Sequence, residues 1–114
     1  MRIGIVNDLA IATEVLRRVV LSDPQHQVAW SAKDGDEAIQ FCAKDTPDVV
    51  LMDLVMPGLS GAAATREIMR RSPCAVLVVT ATVAGNFSLV CEAMSYGAYD
   101  AVATPSIGGG ADML

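Results

Sequence analysis

Five short apolar runs mark the chain: Ile3 to Val6, Val28 to Ala32, Val49 to Met52, Ala75 to Val79 and Ala101 to Ala103. Between them the apolar positions recur every third or fourth residue, a helical period. Short runs alternating with helical stretches are the mark of βαβ units, and so of a parallel sheet with helices on both faces. Val49, Val50, Leu51 and Met52 show no alternation with polar residues, which predicts a strand buried on both sides at the sheet centre.

The helical stretches are four. The first turns Ala12, Val15, Leu16, Val19 and Val20 inward and Thr13, Glu14, Arg17 and Arg18 to water. Asp34, with Glu37 three residues on, opens the second as a capping box, and Ala38, Phe41 and Cys42 form its inner face. Ser60 caps a third that runs to about Arg71, where Ser72-Pro73 stops it. The fourth runs from about Ala84 to Tyr96 with Phe87, Val90 and Met94 inward, and Gly97 suits its left-handed end. The pattern predicts an α/β domain, a doubly wound five-stranded parallel sheet, over residues 1–105. A glycine-rich tail or linker start follows at 106–114, and no fifth helix is legible there.

The length of 114 residues with 53% apolar content suits one core and leaves no room for a second domain. The net charge of −5, with the eight Lys and Arg scattered, argues against nucleic acid as a partner. The Arg17-Arg18 and Arg70-Arg71 pairs read as solvated helix faces. Cys42, Cys74 and Cys91 are odd in number, without metal-ligand spacing and in apolar surroundings, which predicts buried free thiols in a reducing compartment. The opening apolar run meets Asp8 too soon for a signal peptide, and nowhere do 18 apolar residues run together. A cytoplasmic protein without membrane insertion is expected.

In open parallel sheets ligands bind beyond the carboxyl ends of the strands. Those ends carry Asn7-Asp8, Asp53, Thr80-Ala81 and Thr104-Pro105. Acids at two strand ends of so apolar a chain invite a functional reading, because each must otherwise lose water without a partner. Asp8 and Asp53 facing each other can share a divalent cation, and their hard oxygens suit Mg²⁺. An aspartate beside that ion can act as a nucleophile toward phosphorus. Thr80 can hydrogen-bond a phosphoryl oxygen, and backbone N–H groups after Asp53 can bind others. Asp8 also has a plain structural reading, as a cap of the first helix.

Ile5-Val6-Asn7-Asp8, Leu51-Met52-Asp53-Leu54-Val55-Met56-Pro57-Gly58, Ser60-Gly61, Val79-Thr80-Ala81, Gly97-Ala98 and Thr104-Pro105, in this order, resemble response-regulator receiver domains. The resemblance covers Met1 to about Pro105. It implies a flavodoxin-like sheet of order 2-1-3-4-5, here with the fifth helix missing or truncated. It implies Asp53 as phosphoacceptor, a sensor histidine kinase as donor, and Asp8, Asp53 and the Val55 backbone carbonyl as Mg²⁺ ligands. Asn7, Thr80, Ala81 and Thr104 then belong to the phosphoryl pocket and switch. Within receivers, Ile68 to Val76 and Glu92-Ala93-Met94 resemble the regulatory half of chemotaxis protein-glutamate methylesterases, whose hydrolase domain acts on chemoreceptors. Tyr99 to Gly108 together with Asn7 is most similar to the methylesterase of Wsp-type surface-sensing pathways.

Three residues depart from the receiver pattern. Thr104 stands in place of the usual lysine, Asn7 in place of an acid, and Ala101 in place of an aromatic switch residue. The usual three acids and lysine sum to the same charge as Asp8 with Asp53 alone, so the pocket keeps its charge and loses its strongest phosphoryl clamp. Tyr99 is a weak substitute for the aromatic, with core packing the simpler role. Asn7 and Thr104 motivate a rival reading, a pseudo-receiver that binds partners without phosphorylation. A phosphohydrolase reading fits less well, since such enzymes place a DxD pair after the first strand and this chain has Asn7-Asp8. Without a fifth helix, apolar sheet surface is expected to be bare and to drive self-association through that face or the swapping of an element.

Overall fold

The computed structural model describes residues 1–105. Its elements run β1 (Arg2–Val6), α1 (Ala10–Leu21), β2 (Gln27–Ala32), α2 (Gly35–Lys44), β3 (Val49–Met52), α3 (Gly61–Arg71), β4 (Ala75–Thr80), α4 (Phe87–Ser95) and β5 (Asp100–Ala103). All strand pairs are parallel and the order is β2-β1-β3-β4-β5, as the resemblance implied. The tail at 106–114, in which no fifth helix is expected, lies outside the described residues.

Alternation along the strands divides the apolar residues between two unequal layers. Val6, Val50, Met52, Val76 and Val78 form one core with Ala38 and Cys42 of α2, Ala62, Ala64 and Ile68 of α3, and Val90 and Ala93 of α4. On the other face Ile5 and Val79 are buried with Leu16 of α1, while Val28, Leu51 and Leu77 are only partly covered. This corrects the expectation for β3. Val50 and Met52 are fully buried, but Val49 and Leu51 are not, because among the described residues α1 alone packs on their side.

The helix starts follow the capping rules. Asp34 accepts from the Glu37 N–H at 2.8 Å and Ser60 from the Ala63 N–H at 3.1 Å. Glu37 reaches back one residue beyond the expected box, accepting from the Lys33 N–H at 2.9 Å. Gly97 adopts φ +110° just after α4, a left-handed end that strains other residues.

Five expectations need correction. Helix α4 begins at Phe87 rather than Ala84, because the chain first turns on Thr82: its carbonyl accepts from the Asn86 N–H and its hydroxyl from the Gly85 N–H. The inward stripe of α4 is consequently Val90 and Ala93 with Leu89 and Tyr96 beside them, and Phe87 and Met94 face water. In α1, Val19 is exposed, since Val15, Leu16 and Val20 already fill the narrow stripe over the sheet. Tyr99 is 78% exposed and so packs in no core; it precedes β5 at the rim of the thinly covered face. Of the cysteines only Cys42 is buried; Cys74 is partly so and Cys91, on the outer side of α4, is exposed. The neighbouring Cys74 and burial both hold the Cys42 thiol above its ordinary range. Both arginine pairs face water as expected, tied to Glu14 and Glu67.

Candidate functional site

Parallel pairing brings the carboxyl ends of the strands to one edge. Val6 lies beside Met52, and Met52 beside Val78, so the residues that follow them share that edge. The Asp53 N–H donates to the Val6 carbonyl at 3.0 Å, which extends the β1–β3 pairing into the site. The loop after Asp53 is pinned by Leu54 and Met56, both buried, while Val55 between them is exposed. Gly58 turns this loop with φ +76°. Gly61 then starts α3 so close to the loop that an added Cβ would overlap the Asp53 carbonyl oxygen. The Gly61 N–H donates to the Leu54 carbonyl at 2.9 Å. Gly58 and Gly61 thus hold the Asp53 backbone against the first turn of α3.

Asp53 is half-buried, and its carboxyl is pushed up to about 6 from an ordinary 3.8, chiefly by burial and next by the Asp8 carboxylate beside it. Backbone N–H groups of Leu54 and Val55 act in the opposite sense. Two acids held together in this way repel, and a cation relieves the repulsion. Among the described residues no three His, Cys, Asp or Glu side chains converge. A cation here therefore relies on the acid pair with backbone and water oxygens, a donor set that fits Mg²⁺, which retains waters, and does not fit zinc.

Asp8 is exposed and does not cap α1. Leu9 occupies the N-cap position, with no side-chain cap bond. Asn7 is buried, and its side-chain oxygen accepts from the Leu9 N–H at 2.9 Å, so its carboxamide serves the turn into α1. A shallow cleft of about 270 Å³ opens beside Asp8 toward Glu14 and Glu37.

On the other flank, Thr80 ends β4 at 1% exposure. Its hydroxyl oxygen accepts from Asn86 Nδ2 at 2.8 Å. Ala81 after it is exposed, and Thr104 is half-buried with its N–H donating to the Thr80 carbonyl at 2.8 Å. This extends the β4–β5 pairing to the site edge and places Thr104 next to Thr80 without a cationic group. The sequence reading missed Asn86. Its only signal was a good capping residue at a helix mouth six positions after a strand-end threonine.

The site edge has acids on one flank, hydroxyls on the other and a loop of N–H groups between. Residues 3–107 match the response regulator receiver domain family. The chain is 58% identical over 110 residues to protein-glutamate methylesterase/protein-glutamine glutaminase 4 of Burkholderia thailandensis, covering 96% of this chain and 32% of that protein. It is 57% identical to protein-glutamate methylesterase/protein-glutamine glutaminase 3 of Pseudomonas aeruginosa, covering 95% of this chain and 32% of that protein. It spans about a third of the length of these relatives. Among solved structures, the response regulator domain of Thermotoga maritima CheB superimposes with a TM-score of 0.86 at 34% identity, covering 92% of this chain and 78% of that one. With the strand order, the acid pair at the strand ends and these matches in agreement, the chain belongs to the response-regulator receiver domain family.

Proposed function

We propose that Asp53 accepts a phosphoryl group from the phosphohistidine of a sensor histidine kinase in the cytoplasm, and thereby regulates a protein-glutamate methylesterase domain outside this chain that acts on chemoreceptors. The resemblance of Tyr99 to Gly108, with Asn7, to Wsp-type methylesterases supports a surface-sensing pathway as the setting of that domain. One observation carries the reading: a half-buried carboxylate of raised proton affinity, held beside a second acid at the carboxyl edge of a parallel sheet.

The chemistry follows from what surrounds Asp53. Its carboxylate oxygen forms a bond to phosphorus as the bond from phosphorus to the histidine nitrogen breaks, and that nitrogen leaves with the electron pair. Asp8, Asp53 and the Val55 backbone carbonyl would hold a Mg²⁺ ion, which supplies neutralisation of the charge that repels the incoming phosphoryl group. The fixed loop after Asp53 presents N–H groups to the phosphoryl oxygens. Thr80 offers a hydroxyl from the next strand, and Thr104 adds no charge.

The test is uptake from acetyl phosphate, with and without Mg²⁺, by the 114-residue chain and by Asp53→Asn, read by intact mass. A gain of one phosphoryl group in the wild type alone, and only with Mg²⁺, is the expected result. No gain under any condition sinks the proposal and leaves the pseudo-receiver reading that Asn7 and Thr104 suggest.

A further inference from the structure

Helices α2 and α3 are capped by Asp34 and Ser60, and α4 has the equally suitable Asn86 at its N-cap. Yet Asn86 makes no side-chain cap bond. Its carboxamide is instead turned onto Thr80, with Nδ2 donating to Oγ1 at 2.8 Å. The first turn of α4 also lacks an acidic residue, so its N–H groups have no charged partner within the helix. Asn86 is therefore held by the hydroxyl at the site and withheld from the helix it precedes.

We propose that Asn86 is a positioning residue that couples the Thr80 hydroxyl to the amino end of α4 by exchanging one hydrogen bond for another. This rests on the receiver reading of Asp53. In the present arrangement Thr80 Oγ1 accepts from Asn86, which leaves its hydrogen to donate elsewhere. A phosphoryl group on Asp53 brings acceptor oxygens to the same edge, and with Thr104 in place of a cation this flank answers it through hydroxyls, of which that of Thr80 is the one bonded to Asn86. When that hydroxyl turns to the phosphoryl group, its oxygen leaves Asn86 Nδ2. The carboxamide is then free to rotate, and its Oδ1 accepts from the Leu89 N–H, the third residue of α4, as caps ordinarily do. The exchange replaces a bond within the loop by a bond within the helix. It tightens α4 at Phe87, a residue 65% exposed, and so offers a readout that needs no aromatic at Ala101.

Amide hydrogen exchange at Leu89 reports the new bond directly. Unphosphorylated Thr80→Val, which keeps the buried volume and loses the hydroxyl, should release Asn86 and slow Leu89 exchange roughly fivefold, the worth of one cap bond. Asn86→Ser, which caps a helix and is too short to reach Thr80, should show the same slowing and guards against a misfolded Thr80→Val. In the wild type, acetyl phosphate with Mg²⁺ should slow Leu89 only in samples whose mass shows an occupied Asp53. Unchanged Leu89 exchange in both variants overturns the proposal. So does equal slowing of Leu89 on phosphorylation of Asn86→Ala, which has no carboxamide to exchange. A wild type that never gains mass would overturn the receiver reading, while the two unphosphorylated variants would still decide the exchange.

Discussion

The half of the sheet built on β1 and β3 and the half built on β4 and β5 are made differently. The first lies between α1 and the α2–α3 layer, with Ile5, Val6, Val50 and Met52 essentially without exposure, and its strand ends carry both acids. The second is covered well on the α3–α4 side. On its other side Val79 is buried but Leu77 is only partly covered, and with Ala75, Tyr99, Asp100 and the neighbouring Val49 of β3 it lines an apolar groove of about 340 Å³ left open among the described residues. Its strand ends carry hydroxyls. The fixed geometry that the proposed phosphoryl capture needs sits in the first half, and the hydrogen bonds proposed to exchange sit in the second, where rearrangement disturbs fewer packed atoms.

Stability separates the halves most sharply. Ile5 and Leu77 point to the same face, one in each half. Ile5→Ala should cost about 2–5 kcal/mol and Leu77→Ala about 1 kcal/mol, because only the first leaves a closed cavity. Urea unfolding of both variants checks this, and equal losses would erase the distinction.

Chemistry separates them next. Asp8→Ala should slow Mg²⁺-dependent uptake from acetyl phosphate roughly a hundredfold, since it removes one of the two acids proposed to hold the ion. The groove beside Leu77, open among the described residues, should pair with another copy of the chain. Sedimentation should show a dimer forming with concentration and lost in Tyr99→Lys, whose charge cannot enter an apolar contact. A monomer at every concentration would mean the groove stays exposed.

Legibility in the sequence follows the same division. The acids were readable because a carboxylate directly after an apolar run has few bland explanations, and the caps at Asp34 and Ser60 because they are local signals. The burial of β3 was overestimated, since periodicity says that a strand is apolar and not how many helices cover each face. Helix α4 was misphased because its start depends on a turn around Thr82 that leaves no apolar period. Asn86 escaped notice for a related reason: its partner is six residues away, and the bond that matters is a deviation from the capping rule rather than an instance of it.

A smaller effect tests the missing cation. Thr104→Lys places an ammonium next to Thr80, and a charge-assisted bond to a phosphoryl oxygen is worth about 1.5–3 kcal/mol. The rearranged form of the phosphorylated chain should be favoured roughly tenfold more, read as amide shifts that extend further into α4 and β5. Shifts identical to the wild type would show that the second half responds fully through its hydroxyls.

The smallest predicted effect concerns the strain that the first half stores at Asp53. Its carboxyl titrates at about 6 in the folded chain against 3.8 as the ordinary value. Between these values the folded state binds the proton more tightly than the unfolded one, so stability falls as pH rises through that window and is level above it. This group's contribution is fully present below 3.8 and lost once the pH has passed about 6. Asp53→Asn keeps the shape without the charge. In EDTA it should melt a few degrees above the wild type at pH 7, with the gap closing as the pH is lowered through the same window. A gap independent of pH would place its origin in packing rather than in burial and in the repulsion from Asp8. The acid pair would then not be the strained element that makes this half of the sheet ready for a cation.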